Sequence, residues 1–154
     1  MLRPKLLSLL AVVLVLGGCA SSKDMACSDS CAGTQIDLLQ NIGDRVFFDT
    51  DKARLSPDAQ QTLDRQAAWM AQYPANKLLI EGHADERGTR EYNLALGERR
   101  ATAVRNYLVG KGVAASRLAT ISYGKERPEV RNMNGPKEAM WARNRRAVSV
   151  LVQE

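Results

Sequence analysis

Asp85 and Arg100, fifteen positions apart, are residue types that could grip a small zwitterion between them. A carboxylate accepts an ammonium group. A guanidinium presents a planar fork of N–H donors to a carboxylate, which lysine at position 100 would not supply. The two can serve one ligand only if the chain reverses between them. A salt bridge on a solvated helix face would use the same residue types, since charged side chains usually cover such faces. Arg99 is the neighbour to set aside: it points about 100° round a helix from Arg100 and cannot share its role.

The elements that must position this pair can be read from patterning. Arg45-Val46-Phe47-Phe48 is a short apolar strand. Ser56 and Pro57 open a helix, as N-cap and first helical residue. Leu63, Ala67 and Met70 recur at helical spacing, and Pro74 stops it. Residues 77–83 form a second strand that ends just before Asp85. A helix follows from about Glu91 to Val109, capped by Thr89, with Leu94, Ala101, Val104 and Leu108 as its buried stripe. Gly110-Lys111-Gly112 ends it. Residues 118–123 are a third strand, 125–135 a polar loop and 136–144 a short helix. The near-continuous apolar run from Ala147 to Val152 suits a central strand. The order β-α-β-α-β-α-β predicts an α/β layered domain spanning residues 44–154.

The first residues read as an export signal. Arg3 and Lys5 precede an apolar stretch from Leu6 to Leu16, broken only by Ser8. That stretch is too short to cross a bilayer, which takes about 20 residues, but suits a signal peptide over residues 1–18. Leu16-Gly17-Gly18-Cys19 resembles a bacterial lipobox with Cys19 as the lipidated residue. Several acyl chains make stable anchoring, one does not. Ala20 after Cys19 implies sorting to the outer membrane. Removing residues 1–18 takes two bases and no acid, leaving 20 basic and 17 acidic residues, a net charge of +3. No aromatic-interleaved basic stripe points to nucleic acid. Residues 19–43, rich in small and polar types, read as a flexible tether. Cys27 and Cys31, separated by Ser-Asp-Ser, point to a disulfide in an exported chain. Zinc would need further ligands, and the one histidine, His83, is distant.

The run Glu81-Gly82-His83-Ala84-Asp85-Glu86-Arg87-Gly88-Thr89-Arg90-Glu91-Tyr92-Asn93-Leu94-Ala95-Leu96-Gly97-Glu98-Arg99-Arg100 resembles the ligand-binding segment of OmpA-like peptidoglycan-binding domains. The resemblance covers about Arg45 to Val152. It implies a mixed four-stranded sheet with helices packed on one face. It also implies that Asp85 and Arg100 bind the free amino-carboxylate end of diaminopimelate in the peptidoglycan stem peptide, with no cofactor and no reaction. Phe48-Asp49-Thr50-Asp51 resembles the family's Phe-Asp segment. Phe48 is expected as an apolar wall or as core, and Asp49 as a backbone or side-chain contact. Asn93 and Leu94 are expected to touch the peptide, with core packing the alternative for Leu94. His83 is expected to hydrogen-bond within the loop. For lipid-anchored members the resemblance implies a domain facing the periplasm, a link from outer membrane to wall, a part in constriction at division and a partner, TolB. Arg90 stands where those relatives often have proline, and the loop from Glu129 to Gly135 departs from their commonest form.

A wall hydrolase is the competing reading. Asp49, Asp51, Asp85 and Glu86 are carboxylates near strand ends, and two of them could serve glycoside hydrolysis. Such an enzyme needs an acid with a raised pKa. The cations Arg87, Arg90, Arg99 and Arg100 would push carboxylates the other way.

Overall fold

The computed structural model describes residues 31–132 and 134–152. Its elements are α1 (Gln35–Asp37), β1 (Arg45–Phe47), α2 (Pro57–Gln72), β2 (Lys77–His83), α3 (Arg90–Gly110), β3 (Leu118–Gly124), α4 (Lys137–Asn144) and β4 (Arg146–Val152). The two long helices start where their capping chemistry predicts. Ser56 Oγ accepts from the Ala59 N–H at 3.2 Å, and Thr89 Oγ1 from the Tyr92 N–H at 3.2 Å.

The four strands form one mixed sheet in the order β1-β4-β2-β3. β2 and β3 run parallel, joined by the α3 crossover; the other neighbours are antiparallel. The apolar run of β4 sits second in the sheet, between β1 and β2, as its composition predicts. Leu78 and Ile80 of β2 are fully buried and face a core that includes Leu63 and Met70 of α2 and Val104 and Leu108 of α3. A polar bridge ties sheet to helix: Ser149 Oγ donates to Gln66 Oε1 at 2.8 Å, and Gln66 Nε2 donates to the Gly43 carbonyl.

The site depends on one close approach. A Cβ on Gly82 of β2 would lie 1.9 Å from the Gly97 carbonyl oxygen, and one on Gly97 would lie 2.3 Å from Ser122 Oγ. With no side chain between them, α3 lies directly on the sheet just before β2 ends. That contact sets the height of Arg100 above the β2 exit.

Two expectations change. The tether does not extend to residue 43. Thr34 caps α1, a single π-helical turn spans Leu38–Ile42, and Leu38 is fully buried in the core. Asp37 accepts from the Trp69 indole at 2.7 Å, and Gln35 accepts from the Leu151 N–H. Burying a leucine stabilises by about 2 kcal/mol, which a free tether would not gain. The domain therefore begins by Thr34. Leu94 is the second change: it is 49% exposed, and the inner stripe of α3 runs through Asn93, Leu96, Gly97, Arg100, Ala101, Val104 and Leu108. Residues 1–30, with the expected signal peptide, Cys19 and Cys27, lie outside the described residues. Cys31 is buried and disulfide-bonded.

Candidate functional site

Asp85 and Arg100 line one hollow of about 290 Å³, together with Thr50, Asp51, Arg87, Tyr92, Asn93 and Leu96. Its walls are the loop leaving β1, the loop leaving β2 and the first turns of α3. Loops at strand exits, held by a rigid sheet, are where binding residues concentrate.

Arg100 is the fixed member. Its side chain has no exposed surface, yet it donates to three backbone carbonyls: Lys52 at 2.9 Å, His83 at 2.7 Å and Asp49 at 3.1 Å. The guanidinium thus stitches the β1 exit to the β2 exit, and its carbon lies 5.2 Å from the centroid of the Phe48 ring. Burial pushes its pKa down to about 10, while the Asp85 charge opposes that fall. The group stays charged at neutral pH.

Asp85 is 7% exposed. Its Oδ1 accepts from both the Arg87 backbone N–H and Arg87 Nε at 3.1 Å. Its Oδ2 accepts from Arg87 Nη2 at 2.6 Å and from Arg145 Nη1 at 3.4 Å. Burial alone would raise its pKa. The donors of Arg87, and then of Arg145, outweigh burial and hold it below the ordinary carboxylate range. A general acid for glycoside hydrolysis needs the reverse.

Asn93 is buried and works on the loop. Its Nδ2 donates to the Arg87 carbonyl at 2.7 Å and the Thr89 carbonyl at 3.0 Å, so it shapes the turn between Asp85 and α3. Tyr92 donates its hydroxyl to Asp51 across the hollow. Asp51 has φ +58°, a left-handed conformation that turns the chain after β1.

Three further expected residues have side chains lining neighbouring concavities and not this hollow. Phe48 is core: its ring is buried, and its carbonyl accepts from Arg145 Nε at 3.0 Å. The Asp49 side chain is exposed and pairs with Lys52 Nζ at 3.3 Å; only its carbonyl reaches Arg100. Both line a neighbouring groove of about 660 Å³. Leu94 lines a third hollow with Arg90, which pairs with Glu126 at 3.2 Å. The Glu129 carboxylate holds its loop against β1 and β4, at 3.0 Å from Arg45 and 3.3 Å from Arg146. His83 has a buried ring, 5.7 Å from that of Tyr123, with its Nε2 3.5 Å from Glu81 Oε2. Its contribution to the site is its backbone carbonyl.

The sequence does not single out Arg87 or Arg145 as partners of Asp85, nor Trp141, whose ring centroid lies 4.2 Å from the Arg87 guanidinium carbon. Arg87 sits two positions after Asp85, the one local signal. Arg145 comes from sixty residues away and is aimed by its place at the mouth of β4.

The model of the OmpA family matches residues 47–140, which contain the whole hollow. The chain belongs to the OmpA family. Within the family it is 52% identical over 151 residues to a peptidoglycan-associated lipoprotein of Rhizobium meliloti, covering 92% of this chain and 84% of that protein. It is 50% identical to a peptidoglycan-associated lipoprotein of Agrobacterium fabrum over 92% of this chain and 84% of that one. Among solved structures, the peptidoglycan-associated lipoprotein from Burkholderia pseudomallei superposes with a TM-score of 0.66 at 42% identity, over 71% of this chain and 90% of that one. The mixed sheet and packed helices are therefore the family's architecture.

Proposed function

We propose that this chain binds peptidoglycan non-covalently, by gripping the amino-carboxylate end of a diaminopimelate stem peptide, and catalyses no reaction. The observation that carries this reading is the pairing of Asp85 and Arg100 in one hollow, each preset by the fold. Arg100 spends three of its five N–H donors on carbonyls, so two remain for a ligand carboxylate. Asp85 supplies the negative partner for the ammonium. Donors already ordered by the backbone lose little entropy on binding. The relatives' names, peptidoglycan-associated lipoprotein, support peptidoglycan as the polymer bound.

In this reading Cys19 carries the lipid, the domain faces the periplasm from the outer membrane, and the chain links membrane to wall within the Tol-Pal system. TolB docks over the face that takes the wall peptide, so the two compete, and constriction at division uses the link. Sedimentation with purified sacculi tests the core of the proposal. Asp85→Asn and Arg100→Lys are each expected to drop the bound fraction to background, with melting curves showing a retained fold. Sedimentation of both variants like the native chain overturns it. Mass spectrometry of the mature amino terminus tests the lipid.

A further inference from the structure

The Asp85 carboxylate already has a cation on it. Arg87 meets both of its oxygens as a fork, with Nε at 3.1 Å and Nη2 at 2.6 Å. That is the geometry a ligand ammonium would have to take over. The second guanidinium, that of Arg145, is buried and spoken for: Nε donates to the Phe48 carbonyl at 3.0 Å and Nη2 lies 2.9 Å from Glu138 Oε1. Arg87 differs in both respects. Its side chain is 37% exposed. Its other contacts are with groups that could hold it away from Asp85. Its guanidinium carbon lies 4.2 Å from the centroid of the Trp141 ring, Nη2 reaches Thr50 Oγ1 at 3.3 Å, and Nη1 is 3.9 Å from Glu138 Oε2. Trp141 is itself fixed by its indole N–H on Glu86 Oε1 at 2.9 Å.

Resting on the reading above, we propose that Arg87 is a resident stand-in for the ligand ammonium, and that binding is an exchange of one cation for another on Asp85. The exchange never leaves a nearly buried carboxylate bare, which would be costly. The displaced guanidinium keeps its stacking on Trp141 and turns to Glu138, whose second oxygen is close by. Arg87 therefore sets affinity: every ligand that uses Asp85 pays the competition, and a ligand that does not use it is indifferent.

Calorimetry with a diaminopimelate muropeptide and with its side-chain N-acetylated form separates the outcomes. Arg87→Met keeps the length and stacking but removes the charge. It is expected to bind the free-amine muropeptide three- to tenfold more tightly, with the acetylated form unchanged. Arg87→Lys, which restores a cation, is expected to stay within twofold of the native chain. Weaker or unchanged binding of the free-amine ligand by Arg87→Met overturns the proposal, as does equal tightening of both ligands. On the native chain, the Arg87 side-chain Nε–H resonance is expected to shift on adding muropeptide while that of Arg145 holds; an unmoved Arg87 resonance overturns it as well. Asp85→Asn in the same titration keeps the two readings apart. Native-like binding by that variant defeats the diaminopimelate reading itself, whereas lost binding there with no gain in Arg87→Met defeats only the exchange.

Discussion

Two concavities lie back to back at the strand exits, sharing the loop after β1 as a wall. The one beside Phe47 is larger, about 660 Å³ against about 290 Å³. Yet its charged rim, Lys52, Arg54 and Arg143, is exposed, and Phe47 stands 46% open to solvent. In the smaller hollow, Asp85, Asn93 and Arg100 are all buried and tied to the backbone. Size alone would choose the larger one. Fixed polar groups converging on a modest cavity mark a recognition site more surely than volume does.

The contrast can be broken most forcefully at its two arginines. Arg100→Ala strips hydrogen bonds from three carbonyls and leaves a void. Unfolding free energy is expected to fall by about 4 kcal/mol, read by urea denaturation. Arg54→Ala, on the rim of the groove, is expected to stay within about 0.5 kcal/mol. Equal losses would mean that the small hollow is no better braced than the large one. A second strike avoids the hollow's own side chains. Gly82→Ala puts a methyl into the Gly97 carbonyl. It is expected to cost about 3 kcal/mol and to weaken muropeptide binding by lifting Arg100 off its carbonyls. Unchanged binding would show that the β2–α3 contact does not set the site.

The smallest effect at neutral pH concerns His83. Burial, then the positive charges of Arg146 and Arg127, push its pKa down to about 3 from the usual 6.5. The folded chain thus binds fewer protons there than the unfolded chain between those values. Stability from this residue is complete above about pH 6.5 and is lost as pH falls towards 3. His83→Phe is expected to flatten the fall of melting temperature across that window. An unaltered slope would assign the acid sensitivity elsewhere.

Much of the scaffold was legible because its signals are local. Ser56-Pro57 and Thr89 cap helices by short-range chemistry, and β2 alternates with its full length bounded by polar turns. Leu94 misled because α3 turns polar residues inward. With Asn93 and Arg100 on its buried face, apolar spacing no longer marks the inside. The segment from Thr34 to Ile42 looked like tether because its composition is mixed, although Leu38 and Ile42 lie one turn apart and Thr34 is a cap. Asp85 and Arg100 could be paired from the strand–loop–helix order alone. Arg145 and Trp141 could not be placed beside Asp85 and Arg87, because the last helix and strand come alongside them only through the sheet order β1-β4-β2-β3.

That same order has a mechanical consequence. β1 leads from the amino-terminal segment directly to the loop that Arg100 clasps, so a pull between the two ends travels along the strand axis. Its ladder to β4 is antiparallel, with rungs across that axis. All the rungs then resist together in shear instead of opening one by one, which lets a strand of three residues carry a load.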